Sequence, residues 1–155
     1  QSGANLWTSA PWDEVQDLAA VWTTPQRCLV TCKQGCIVFS FDRDFPGDVL
    51  RRWSGVSDMR CAAVGWAENL VLVGAGISSL TLMQLDGQVL RQFMDHPHPV
   101  AHQFGTVWCV DVQWTTRRAW SGSEDGILRL WDLEQGMCLR RLGQGGAAVR
   151  CMAVD

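Results

Sequence analysis

The chain has 155 residues, 47% of them hydrophobic and 19% charged, a balance that belongs to a folded domain and not to a disordered one. A net charge of −3 leaves no basic footprint for nucleic acid as a partner. No apolar run reaches the roughly 20 residues of a membrane helix, so a membrane partner is not expected either.

Arg outnumbers Lys twelve to one, Tyr is absent and Trp occurs nine times. We read these biases as lineage composition with little functional content. The seven Cys are an odd number in a chain with no visible secretory signal, which points to a reduced intracellular compartment, cytoplasmic or nuclear. The chain starts at Gln1 and not at Met, the mark of a processed or excised segment.

Taken in order, the segments repeat. LAAVWTT (18–24), CAAVGWA (61–67), CVDVQWT (109–115) and CMAVD (151–155) align on Val21, Val64, Val112 and Val154, at intervals of 43, 48 and 42 residues. A period of about 40–45 residues is that of a four-stranded propeller blade. After each of the first three landmarks comes a second apolar strand (RCLVTC, NLVLVGA, RRAWSGS). A third (CIVFSFD, SLTLMQLD, ILRLWDL) and a fourth (DVLRRW, QVLRQFM, MCLRRL) then follow. Strands of this length with Gly or Asp between them predict an all-β meander. PWDEVQDLAAVW has some helical character with Asp13 as a cap, but the repeat register assigns it to a strand. The blades fall at approximately 17–53, 59–94 and 107–142, and the first strand of a further blade begins at 147–155. Asn5-Leu6-Trp7 reads as the outer strand of a preceding unit.

Within the third unit, SGSEDGILRLWDLEQG (121–136) places Ser121, Asp125, Trp131 and Asp132 at fixed offsets around an Asp125-Gly126 hairpin turn. Residues 102–142 resemble a WD repeat, the blade unit of the WD-repeat β-propellers. The resemblance implies a buried hydrogen-bond chain through His102, Ser121, Asp125 and Trp131. Asp125 would accept from His102 and backbone amides, His102 would bridge to the Ser121 hydroxyl, and Ser121 would accept the indole N–H. An unpaired buried group in such a chain costs about 1–3 kcal/mol, so these residues are scaffold and not a hydrolase triad. No GxSxG elbow accompanies them. The other units are degenerate: the second has Val73, Ile77 and Met83 at the Ser, Asp and Trp positions, and the first has Thr31 with a Gln34-Gly35 turn.

Closed propellers have roughly 4–8 blades. About three blades make an incomplete propeller, expected to be a fragment whose missing blades come from the rest of a longer chain or from self-association. The implied function is a non-catalytic protein–protein interaction scaffold. The alternative is a part of an enzyme or cofactor-binding propeller. No cofactor or metal is expected. His96, His98 and His102 sit in a Pro-stiffened connector, and Cys28, Cys32 and Cys36 lack CxxC spacing. GAGISS (74–79) lacks the Lys-Ser/Thr ending of a phosphate loop. Cys61, Cys109 and Cys151 recur three residues before the landmark Val and read as small core residues. By the same resemblance, a protein partner would contact the rim where loops enter the innermost strands. The positions there are Asp17, Lys33, Asp58, Arg60, Thr106, Trp108, Glu124 and Arg150, with Ala148 beside them. An exposed Trp108 between arginines would be the anchor.

Overall fold

A computed structural model describes residues 15–21, 26–32, 35–42, 45–53, 56, 58–76, 79–94 and 105–153. Among them the chain forms three antiparallel four-stranded sheets, each built from strands consecutive in sequence, as in an incomplete β-propeller. The first contains β1 (Val15–Val21), β2 (Arg27–Cys32), β3 (Gly35–Asp42) and β4 (Phe45–Trp53). The second contains β5 (Met59–Gly65), β6 (Leu70–Ala75), β7 (Ser79–Gln84) and β8 (Val89–Met94). The third contains β9 (Val107–Gln113), β10 (Arg118–Ser123), β11 (Leu128–Asp132) and β12 (Met137–Leu142). One 3-10 turn, Trp114–Thr116, links β9 to β10. The helical character of PWDEVQDLAAVW yields to the strand β1 from Val15 onward.

Side-chain alternation explains how the sheets stack. In β6, Val71, Val73 and Ala75 join Leu29, Cys36 and Val38 of the first sheet in one core. Leu72, from the other face of β6, joins Leu80, Leu82 and Phe93 against Val107, Ala119, Trp131 and Leu133 of the third sheet. The second sheet is thus buried on both faces. That is why LVLVGA is apolar throughout, where a half-exposed strand would alternate.

The last strand of a sheet is exposed in both the second and the third: Val89 and Leu90 on β8, and Met137, Leu139 and Leu142 on β12. Residues 147–153, where a further blade is expected to begin, form no strand. They run beside β10 through one bond, Val149 N–H to the Ser123 carbonyl at 3.0 Å. An innermost strand needs a second strand to ladder with, and no described residue supplies one.

The stacked sheets meet at a repeated joint. Cys61 Sγ contacts the Val107 carbonyl at 3.7 Å, and Cys109 Sγ contacts the Val149 carbonyl at the same distance. Opposite each cysteine stands a glycine, Gly74 against Cys61 and Gly122 against Cys109. A Cβ on Gly74 would lie 2.5 Å from Cys61 Sγ, and one on Gly122 would lie 2.7 Å from Cys109 Sγ. The cysteines are small packing groups here. Burial, then the nearby Asp17 and Cys109, push the Cys61 thiol far above its ordinary range.

Candidate protein-interaction rim

The polar cluster of the third blade starts from two facing strands. Ala119 and Trp131 are paired across β10 and β11, which puts Ser121 on the same face of β10, two residues on. Trp131 is buried, with its ring edge-on to Phe93 at a centroid distance of 5.8 Å. Its indole N–H is therefore cut off from water, and it donates to Ser121 Oγ at 2.8 Å.

Asp125 sits in the turn beyond. It accepts from Ile127 N–H at 2.9 Å, from the Ser123 hydroxyl, and from Arg129 Nη2 at 2.6 Å. Burial raises the Asp125 carboxyl, but the bonds from Arg129, Ser123 and Ile127 outweigh it and hold the group below its ordinary value. His102, the remaining member of the implied chain, lies outside the described residues, as do His96 and His98. Among the described residues, Arg129 and Ser123 are the side chains that face Asp125. Arg129 is four residues past Asp125 across a tight turn, which is the signal that could have revealed it. Asp132 closes the next turn by accepting from Glu134 and Gln135 N–H, each at 2.9 Å, and pairs with Arg118. Those backbone and side-chain bonds, led by Gln135, lower its carboxyl as well.

The rim positions separate into distinct arrangements. Thr106 N–H donates to Glu124 Oε2 at 3.3 Å and Glu124 N–H donates to the Thr106 carbonyl at 2.9 Å, which ties the entry to β9 to the β10–β11 turn. Asp17 reaches across from β1, accepting Ala62 N–H of β5 on Oδ2 at 2.8 Å and Leu18 N–H on Oδ1 at the same distance. It acts as a staple between neighbouring innermost strands. Lys33 lies outside the described residues.

Arg60, Trp108 and Arg150 form one stack, although they come from three successive units. The Arg60 guanidinium carbon lies 5.5 Å from the Trp108 ring centroid, and that of Arg150 lies 4.9 Å away. Arg60 is held in turn by Asp58 Oδ1 at 2.7 Å and Gln16 Oε1 at 3.1 Å. Trp108 is half-buried, a correction to the exposed anchor expected from sequence, because the two arginine side chains cover its ring. Its Nε1 and the Arg60 Nε are buried with no hydrogen-bond partner among the described residues. The stack opens onto a groove of about 620 Å3 along the innermost strands, where Asp17, Asp111, Trp114 and Ala62 also contribute to the wall. Among the described residues no cluster of His, Cys, Asp and Glu is arranged to hold a metal ion. None of their helices is long and apolar enough to cross a membrane.

No family model matches the chain. Comparison with curated proteins finds eukaryotic translation initiation factor 3 subunit I. The Xenopus laevis protein is 53% identical over 51 residues, which is 33% of this chain and 15% of that relative. The human protein is 37% identical over 67 residues, which is 43% of this chain and 18% of that relative. The chain therefore matches less than a fifth of the length of these relatives, and over part of its own length it is similar to a subunit of a translation initiation factor.

Proposed function

We propose that the chain is a WD-repeat-type segment acting as a non-catalytic scaffold within a translation-initiation assembly. The single observation that carries this is the 53% identity over 51 residues to translation initiation factor 3 subunit I, in a chain built of stacked four-stranded sheets. A subunit of a factor assembles with other subunits, and a stack of sheets with loops gathered at one end suits that task. The rim bearing Asp58, Arg60, Trp108 and Arg150 is the docking surface, since aromatic and arginine side chains at the centre of a patch dominate interface energetics. Asp17, Thr106, Glu124, Lys33 and Ala148 frame it. The setting is cytoplasmic. The blades missing from a ring come from a longer chain or from other copies.

The test is co-purification of the tagged chain from a eukaryotic cytosolic extract with other subunits of translation initiation factor 3, identified by mass spectrometry. Recovery in constant proportion through a sizing column is expected. Trp108→Ala should weaken capture by about 2 kcal/mol or more, while Glu134→Ala, in the turn at the opposite end of the third sheet, leaves it unchanged. Elution of the chain free of those subunits would overturn the proposal, and sensitivity to Glu134 with indifference to Trp108 would move the docking surface to the other end.

A further inference from the structure

We infer that the Arg60–Trp108–Arg150 stack is a seat for carboxylate side chains of an acidic protein segment. The inference rests on the rim's being a docking surface and adds the chemistry of what docks there. A guanidinium laid on an indole uses its face in the cation–π contact and leaves its edge free, and that edge is a planar fork of N–H donors matched to a carboxylate. Arg150 is exposed and lays its guanidinium on Trp108. Arg60 stands across the same ring, already oriented by Asp58 and Gln16.

The acidic groups of the groove are occupied otherwise. Asp17 accepts backbone N–H groups on both oxygens, and Asp111 Oδ1 accepts Val112 N–H at 2.8 Å. Of the two arginines lining the groove, Arg60 is already paired with Asp58 and Gln16, and Arg150 is the exposed cation. A polyphosphate backbone fits less well than a peptide. Two arginines fall well short of the several phosphate contacts that a nucleic-acid backbone needs, whereas each can take one carboxylate of a peptide.

The probe is a fluorescein-labelled decapeptide rich in Glu and Asp, titrated with the 155-residue chain and read by fluorescence anisotropy. The same peptide with Gln and Asn, and a single-stranded RNA decamer, are titrated in parallel. The acidic peptide should bind at least tenfold more tightly than its amide counterpart and weaken as salt is raised. Arg150→Gln should lower its affinity about tenfold with an unchanged thermal melt, because this side chain is exposed. Arg150→Lys should recover only part of the loss, since charge without the fork does not restore the geometry. Equal binding of acidic and amide peptides, or wild-type affinity in Arg150→Gln, overturns the inference. So does tighter binding of RNA than of peptide. Failure here with Trp108-dependent capture of factor subunits intact would leave the scaffold proposal standing with a partner of different chemistry. Peptide binding without capture would do the reverse.

Discussion

The joint between the second and third sheets can be probed at Gly74. Replacing it by Ala puts a methyl 2.5 Å from Cys61 Sγ and 2.7 Å from Val107 Cγ1, against the roughly 3.5–4.0 Å of an ordinary contact. Both neighbours are buried, so neither can swing into solvent. Two effects oppose each other. Gly74 lies in regular strand without a positive φ, so Ala gains about 0.4–1 kcal/mol by restricting the unfolded chain. Overpacking a closed site costs about 1–3 kcal/mol. The clash should win, with a net loss of about 1–2 kcal/mol in urea unfolding, seen as a lower midpoint at unchanged slope. Cys61→Ala removes the nearer obstacle. Combined with Gly74→Ala, it should cost less than the sum of the single changes by about 1 kcal/mol, incomplete because Val107 remains. Gly122→Ala should cost less than Gly74→Ala. Its methyl meets Val149 Cγ1 at 2.6 Å and the buried Cys109 Sγ at 2.7 Å, and of the two Val149, half-buried on a segment outside any ladder, can give way. A neutral or stabilising Gly74→Ala, or strict additivity with Cys61→Ala, would refute the packing argument.

Two further changes test the third blade. Ser121→Ala leaves the buried Trp131 N–H without its acceptor and should cost about 1–3 kcal/mol in the same unfolding assay; a loss below about 0.5 kcal/mol would show that the indole finds another partner. Asp125→Ala should cost about 1–3 kcal/mol, whereas Asp86→Ala, which removes only an exposed bond to Gln88 N–H, should stay within about 0.5 kcal/mol. Because the folded state lowers the Asp125 carboxyl, its contribution is present above the ordinary Asp value of about 3.9 and is lost as pH falls through the lower folded value. The stability gap between wild type and Asp125→Asn should therefore narrow as the solution is acidified below about pH 4, and a gap that widens there would contradict the assignment.

The all-β class and the blade period were legible in the sequence because they are local. Strand length, turn residues such as Asp125-Gly126 and a recurring apolar pattern each depend on neighbours a few residues away. The Ser121-to-Trp131 spacing is of the same kind, since one hairpin joins the two residues. Register was less legible. Val64 and Val112 pair with the second residue of their partner strands, Val71 and Ala119, but Val21 pairs with the first, Arg27. A slip of one residue turns a side chain to the opposite face. Leu29 faces the second sheet as Leu72 faces the third, so Val30, and not Thr31, takes the Ser121 register in the first blade. The stack of Arg60, Trp108 and Arg150 could be ordered along the chain but not brought into contact from it. Its members belong to three units, and which face of an indole an arginine covers depends on how one sheet is rotated on the next. The partners of Asp125 divide the same way: its turn was visible as a motif, while the choice of Arg129 and Ser123 to fill it was made by which side chains the folded hairpin brought alongside.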